Sequence, residues 1–307
     1  MNTEVLQVKN PWSALIGLLA IVFCSILLTQ LPVILGSYLL SEAPIVDLNS
    51  NVAALKNPWM TYLLMASSNV GAFLIPAYVF QRFNPDTVLF PAEQFKNWKL
   101  YALSLLFMLL AGPLLTLVSD WNMQMKLPAQ LAGIEGWMRD QEDNMAGLTQ
   151  QMLMVEDYPS LVVNLLVIAI LPAIGEEFFF RGVLQNIFTR VFKGAHASIW
   201  LVAIIFSAIH IQFFGFFPRL LLGLFFGYML LWSNNIWIPV LAHLVNNATV
   251  VLVAFVYTKQ GKSYAALMES DSYTFIVYLG SLILSVSAAY LFYRYATKKV
   301  DYGKKLD

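Results

Sequence analysis

The stretch GEEFFFR, residues 175–181, places two carboxylates and one guanidinium inside an apolar run. That run extends from Leu161 to Val191 and is long enough to cross a membrane. A charged side chain at the middle of a bilayer costs roughly 2.5 to 3.5 kcal/mol on insertion scales. Three such charges need partners on neighbouring helices, so we expect the fold to be built around this stretch.

Helical spacing gives the two glutamates different surroundings. Glu177 and Arg181 are four residues apart, so they lie on one face of a helix and can form an ion pair. Glu176 points about 100° away from Glu177 and has no cation within its own helix. A purely structural ion pair would explain Glu177 but leave Glu176 unexplained. We therefore expect Arg181 to hold Glu177 and Glu176 to be available for chemistry.

The composition indicates a protein that crosses a membrane several times. Of its 307 residues, 59% are hydrophobic and only 12% are charged, and the mean hydropathy is +0.67, whereas about 25% of residues in soluble domains are charged. The formal net charge is zero, so nothing indicates nucleic-acid binding. The single cysteine, Cys24, excludes a disulfide within the chain and a metal site built from several cysteines.

Apolar segments long enough to cross a bilayer recur along the chain. They predict an all-α fold, which is a polytopic bundle of about eight membrane-spanning helices. The predicted spans are residues 13–40, 60–81, 100–119, 160–191, 197–212, 216–232, 236–257 and 273–295. The segment 120–158 is the one long connection outside them. Its apolar residues recur at helical spacing, which fits either an interfacial helix or a polar connector that contains one helix.

Lysine and arginine predict the orientation, because these residues accumulate in cytoplasmic loops. With the N-terminus in the cytoplasm, roughly eleven of them lie inside and roughly six lie outside. The inner set is Lys9, Arg82, Lys96, Lys99, Arg190, Lys193, Arg294, Lys298, Lys299, Lys304 and Lys305, and the outer set is Lys56, Lys126, Arg139, Arg219, Lys259 and Lys262. We expect both termini in the cytoplasm and an active site reached from the cytoplasmic half.

Two of the three histidines lie within predicted spans, where an ionisable residue is a functional candidate by default. Phe206 and His210 are four residues apart and share one helix face, as do His243 and Asn247. Asn246 is the weaker alternative to Asn247. The third histidine, His196, falls in a loop and is most simply a solvated residue.

Together with Glu176, these side chains form a set suited to hydrolysis. A glutamate can take a proton from water, and a histidine can position that water or protonate the leaving amine. An asparagine N–H can stabilise the oxyanion of a tetrahedral intermediate, an effect worth about 2.7 to 4 kcal/mol per donor.

Three motifs in this order on successive spans resemble the CAAX protease and bacteriocin-processing (CPBP, or Abi) family of intramembrane proteases, which includes the Ras-converting CAAX endopeptidase. The resemblance covers roughly residues 160–257. Each motif alone is weak, and their order within membrane spans makes them specific. The motifs are Glu176-Glu177-x-x-x-Arg181, Phe206-x-x-x-His210 and His243-x-x-x-Asn247.

The resemblance implies a role for each of these residues. Glu176 would activate water and His210 would share that water, while His243 and Asn247 would form the oxyanion pocket. The supporting residues would be Glu177, Arg181 and Phe206. On this basis residues 1–159 hold three membrane helices and a long outer connector, residues 160–257 form the catalytic core, and residues 258–307 hold the last membrane helix and a basic cytoplasmic tail.

The same residues also suit a metal. Glu176, His210 and His243 with one water would form a tetrahedral zinc site, and the family was first classed as metalloproteases on that pattern. The H-E-x-x-H signature of helical zinc proteases does not occur in the sequence. A metal-free glutamate mechanism is therefore favoured, with Zn²⁺ as the alternative.

The favoured function is an intramembrane endopeptidase in a bacterial cytoplasmic (inner) membrane. Its substrate would be a hydrophobic or prenylated peptide or protein within membrane lipid, cut near the C-terminus or a membrane-proximal end. One alternative is a non-catalytic scaffold or bacteriocin-immunity protein. Another is a proton-coupled transporter, because buried Glu and His can relay protons, although the sequence has no sign of an inverted repeat.

Overall fold

The computed structural model describes residues 10–40, 58–93, 96–269 and 273–298, and these residues are almost entirely helical. The basic tail with Lys299, Lys304 and Lys305 lies outside the described residues, as do Lys9 and Lys56. The described helices are α1 (Pro11–Leu40), α2 (Pro58–Phe83), α3 (Trp98–Met123), α4 (Ala132–Leu153), α5 (Tyr158–Phe192), α6 (Ala195–Ala208), α7 (Phe216–Ser233), α8 (Trp237–Lys259), α9 (Tyr264–Met268) and α10 (Phe275–Thr297).

Seven of these helices are long and apolar enough to cross a membrane, namely α1, α2, α3, α5, α7, α8 and α10. The all-α polytopic fold predicted from the sequence is therefore confirmed. The fifth predicted span, residues 197–212, corresponds to the shorter α6, which has 14 residues. The helix ends at Ala208 because the chain turns there, with Ile211 in a left-handed conformation at φ 52°. His210 thus lies in the turn after α6, and the prediction that it lies within a helix was wrong.

The loops meet on two opposite faces of the bundle. On one face, Ala92 and Asn235 form a bridge, and Arg190 Nη2 donates a hydrogen bond to Thr87 Oγ1 at 3.0 Å. On the other face, Asn122 at the end of α3 contacts the loop between α6 and α7, donating to Phe213 O at 3.1 Å. We call this second face the connector face, because residues 120–158 lie on it. The segments before and after α6 therefore lie on opposite faces, although α6 itself has only 14 residues.

Widened helical turns precede the internal prolines of α2 and α5. The π-helical segments Val70–Leu74 and Leu165–Ile170 come just before Pro76 and Pro172. Proline lacks an N–H and its ring clashes with the carbonyl four residues earlier, so a wider turn accommodates it. A third π segment, Phe178–Leu184, follows the acidic pair directly and contains Arg181. The helix that carries the charges is thus irregular on both sides of them.

Two glycines on α7 let it approach α6 and α5 closely. A Cβ at Gly223 would lie 3.1 Å from Ala203 Cβ, and a Cβ at Gly227 would lie 2.8 Å from Ile199 Cγ2. The carbonyl oxygens of the same two glycines accept hydrogen bonds from α5, at 3.2 Å from Arg181 Nη2 and at 3.3 Å from Gln185 Nε2. This pair therefore serves packing within the chain.

The connector contains one helix, α4, which is tied to the bundle at both ends. The ring of Trp137 contacts the ring of Phe213, with centroids 5.3 Å apart. At the other end, Asn164 of α5 donates to Met152 O at 2.6 Å and accepts from the Tyr62 hydroxyl at 2.8 Å. Trp137 is nevertheless 49% exposed. The helix lies against the connector face with apolar groups still exposed, as an interfacial helix requires.

We expect Gly227→Ala to destabilise the protein, because its methyl group would force Ile199 or the α6 backbone to move. Overpacking of this kind costs about 1 to 3 kcal/mol. Gly280→Ala on α10 is the matched control, because nothing lies within 4 Å of a Cβ there. Thermal unfolding in detergent should show a lower midpoint for Gly227→Ala only. An equal midpoint for the two variants would contradict the close α6–α7 contact.

Candidate active site

Glu177 lies at the centre of the buried polar cluster. Its Oε1 accepts hydrogen bonds from Arg181 Nη1 at 2.9 Å and from His243 Nδ1 at 2.8 Å. All three residues are buried, with exposed fractions of 0%, 1% and 5%. The ion pair expected from the spacing of α5 is therefore present, and it also holds a histidine from α8. Sequence spacing gave no signal for this second contact, because the two residues are far apart in the chain.

The contact with Glu177 determines how His243 is protonated. A carboxylate paired with a guanidinium only accepts hydrogen bonds, so His243 Nδ1 must carry a hydrogen. The other ring nitrogen, Nε2, then faces Glu176, with 4.0 Å between Nε2 and Oε2. That distance is too long for a direct hydrogen bond and suits one bridging water.

Glu176 is the carboxylate without a strong partner. It is 9% exposed, and no described residue donates a hydrogen bond to it. At the preceding residue, Gly175, α5 packs closely against α2. A Cβ on Gly175 would lie 2.5 Å from Asn69 Oδ1. The close approach of α2 and α5 fixes the backbone beside Glu176. The predicted pair of Glu177 with Arg181 is thus present, and the availability of Glu176 for chemistry stays a prediction.

Phe206 connects the two histidines. The His210 ring donates from Nδ1 to Phe206 O at 2.8 Å and lies edge-on to the Phe206 ring at 5.3 Å. The His243 ring also meets Phe206 edge-on, at 6.0 Å. The Arg181 guanidinium lies 4.5 Å from the same ring, which is a favourable cation–π distance. Phe206 therefore positions both histidines and the buried cation.

Two further features of the site were missed by sequence reasoning. Phe226 of α7 stacks on the His243 ring with centroids 5.3 Å apart, and so fixes the plane of the imidazole. Ile211 has a left-handed backbone next to His210. That conformation is strained for a β-branched residue, and such strain is concentrated at functional sites. Neither feature could be recognised from the spacing of residues. Aromatic residues are common throughout the spans, and a left-handed backbone at an isoleucine has no sequence signature.

Asn247 lies one turn beyond His243 on α8. Its Nδ2 donates to Ile168 O at 3.3 Å, and its Oδ1 accepts from Asn246 Nδ2 at 3.1 Å. These contacts fix the carboxamide and use only one of the two hydrogens on Nδ2. Asn247 also forms part of the wall of a cavity of about 490 Å³ between α1, α2, α4, α5 and α8. Most of that wall is apolar, including Leu64, Met145 and Leu148.

The proposed zinc ligands are not gathered into a metal site. Across the described ranges, no three His, Cys, Asp or Glu side chains lie close enough together to hold a metal ion. His243 Nδ1 is engaged by Glu177, which leaves only Nε2 for any other ligand. Zinc binding by Glu176, His210 and His243 therefore stays a prediction, and we assign no chemical step to a metal.

Two features of the site lie on the side of the connector face. His210 is in the loop on that face, and the cavity beside Asn247 is partly lined by Met145, Leu148 and Met152 of α4. With the N-terminus in the cytoplasm, the connector after three spans would be outside. The orientation and the cytoplasmic access expected from the sequence both stay predictions, because Glu176 lies near the middle of α5 and His243 lies only six residues after the start of α8 at Trp237.

The segment that carries these side chains matches a known protein family. Residues 158–249 match the family model described as type II CAAX prenyl endopeptidase Rce1-like. A curated relative, the uncharacterized protein YpbD of Bacillus subtilis (strain 168), is 28% identical over 89 residues, which is 28% of this chain and 42% of that protein. No solved structure matches. The resemblance to the CAAX protease family, first indicated by the three motifs, is therefore confirmed for residues 158–249 of this integral membrane protein.

Proposed function

We propose that this protein is an intramembrane endopeptidase that hydrolyses a peptide bond in a hydrophobic or prenylated peptide or protein. The observation that carries the proposal is the asymmetry of the two glutamates. Glu177 is neutralised by Arg181 and His243, whereas Glu176 faces His243 Nε2 across 4.0 Å. The match to a family of CAAX prenyl endopeptidases supports the same reading.

In the first step, a water between Glu176 and His243 attacks the scissile carbonyl carbon. Glu176 Oε2 takes one proton from that water as the new C–O bond forms. His210 shares the water, because its Nδ1 hydrogen is engaged by Phe206 O and its Nε2 is left as an acceptor. The carbonyl oxygen becomes an oxyanion.

Two donors stabilise this oxyanion. One is the second Nδ2 hydrogen of Asn247, whose carboxamide is already fixed by its neighbours. The other is the N–H at His243 Nε2 of an imidazole that carries hydrogens on both nitrogens. Its charge is balanced by the Glu176 carboxylate before the attack and by the oxyanion after it. Donors held in position before the reaction are worth about 2.7 to 4 kcal/mol each in known cases.

In the second step, the carbonyl re-forms and the C–N bond breaks. The proton held by Glu176 passes to the leaving amine, directly or through His210. The products are a new carboxyl terminus and a new amino terminus, and Glu176 returns to its carboxylate form. Every proton is accounted for by these side chains and the one water consumed.

The surroundings of the site fit an apolar substrate. The cavity of about 490 Å³ beside Asn247 has a mainly apolar wall and would take a hydrophobic side chain or a prenyl group. We place the protein in a bacterial cytoplasmic membrane with both termini inside, on the lysine and arginine distribution. With that orientation the connector face, and the cavity that α4 partly lines, would be outside.

The function is tested by comparing protein termini in membranes of cells that express the wild type or Glu176→Gln. New termini should appear with the wild type only, because removing a general base lowers the rate about 10²- to 10⁴-fold. Glu269→Gln, at an exposed glutamate outside the site, should behave as the wild type. Identical termini for wild type and Glu176→Gln, with both proteins folded and equally abundant, would favour the non-catalytic scaffold.

The two glutamates should also differ in their effect on stability. Glu177→Gln would leave Arg181 buried without its counter-charge, and breaking a buried pair in this way costs about 3 to 5 kcal/mol. Glu176→Gln removes an unpaired buried carboxylate and should leave the unfolding midpoint unchanged or raised. Thermal unfolding in detergent measures both. A larger loss of stability for Glu176→Gln would reverse the roles assigned to the two residues.

The orientation is tested by thiol labelling in intact cells, in a Cys24→Ser background. A membrane-impermeant maleimide should label Asp140→Cys on the connector and should not label Asp86→Cys on the opposite face. Both residues are exposed, so accessibility within the protein does not separate them. The reverse labelling pattern would place the connector in the cytoplasm and overturn the proposed orientation.

A further inference from the structure

Arg219, in the first turn of α7, is a second partly buried cation of the site, and the hydrolytic steps do not use it. Its Nη2 donates to Gln212 O at 3.3 Å. Its Nη1 is buried and has no hydrogen-bond partner among the described residues. Leaving such a donor unpaired in a buried place costs free energy, and more so for a charged group. The guanidinium therefore has room for a partner that the described residues do not supply.

The loop before α7 is shaped to hold this guanidinium in place. At Gly215 the guanidinium packs directly against the loop backbone, where a Cβ would overlap Arg219 Nη2. The loop is fixed by Asn122, which accepts from Phe217 N at 2.9 Å and donates to Phe213 O at 3.1 Å. Glu142 of the connector helix accepts from Phe214 N at 3.3 Å. Arg219 is thus a positioned group and not a mobile surface side chain.

The charge of Arg219 lies at the loop that carries His210, because Gln212, whose carbonyl accepts from its Nη2, is two residues from that histidine. At that position its charge acts on Glu176, His210 and Glu142. Within the described ranges, no carboxylate oxygen lies within 4.0 Å of its nitrogens, whereas the charge of Arg181 is matched directly by Glu177. Arg219 therefore offers a positive group with an unpaired donor at the loop that carries His210.

We propose that Arg219 binds the C-terminal carboxylate of the peptide substrate. This inference rests on the proposed protease function and adds the feature that the substrate must present. A guanidinium suits the task because it stays charged and its N–H groups match a carboxylate in geometry. Arg219 then determines specificity, since it selects a chain end and places the bond to be cut beside Glu176. Asn247 and its apolar cavity hold the hydrophobic part of the same substrate.

The test uses the purified full-length protein in lipid vesicles and a synthetic copy of a C-terminal segment whose cleavage in cells depends on Glu176. The segment is made with a free C-terminal carboxylate and as a C-terminal amide. We expect the amide to have a KM roughly 10- to 100-fold higher, as loss of a hydrogen bond to a charged group implies. Arg219→Gln should cleave both peptides with the KM that the wild type shows for the amide.

Three further comparisons show whether Arg219 is responsible for the preference for a free carboxylate. Arg190→Gln, on the opposite face, is the matched control and should keep the wild-type preference. Arg219→Lys keeps the charge without the planar fork and should show an intermediate preference. A variant that fails to fold would lose cleavage of the amide peptide as well as of the acid. In that case, comparing the KM values of the wild type for the acid and the amide would still test whether the C-terminal carboxylate is recognised.

The outcomes separate this inference from the proposed function. Equal KM values of the wild type for acid and amide would overturn the role of Arg219 while leaving the protease intact, as would a preference that Arg219→Gln retains. An amide peptide that ends in glutamate carries its carboxylate on a side chain. If that peptide matches the free acid through Arg219, the group recognised is any anion and not a chain end. Absence of any Glu176-dependent cleavage would instead remove the protease function itself.

Discussion

Glu177 and Arg181 are buried together in an apolar bundle, and taking each of two such ions out of water costs several kcal/mol even after relaxation. Their contact at 2.9 Å offsets part of that cost, and other groups must offset the rest. His243 donates to the same carboxylate oxygen. The Gly223 carbonyl accepts from the guanidinium, which requires α7 to approach closely. One ion pair on α5 thereby determines where α7 and α8 lie.

The same requirement explains why the site residues converge. His243 must reach Glu177, and this brings its other nitrogen opposite Glu176. Phe206 must cover the guanidinium, and this brings the turn with His210 alongside. Groups that neutralise the buried charges are thus the groups that surround the unpaired carboxylate. One network of side chains therefore provides both structural support and chemistry. Glu177 provides the support, and in our proposal Glu176 carries out the chemistry.

Much of this arrangement could be predicted from the sequence, because it depends on local spacing. The span lengths follow from apolar runs, and the Glu177–Arg181 pair follows from a separation of four residues. The link from His243 to Glu177 could not be predicted, because it depends on how α8 packs against α5. The position of His210 was misjudged, since apolar residues continue past Ala208 into a turn whose left-handed Ile211 has no sequence signature. Arg219 was counted only as a loop charge, because its burial arises from the folding of residues 212–215 around it.

The central claim is that a water held between Glu176 and His243 is the nucleophile. An experimental structure of the protein in a lipid environment, at a resolution that shows ordered water, tests it most directly. The claim predicts density for one water within hydrogen-bond distance of Glu176 Oε2 and His243 Nε2. It would be contradicted by a protein side chain filling that position, or by a metal ion bound there by Glu176, His210 and His243.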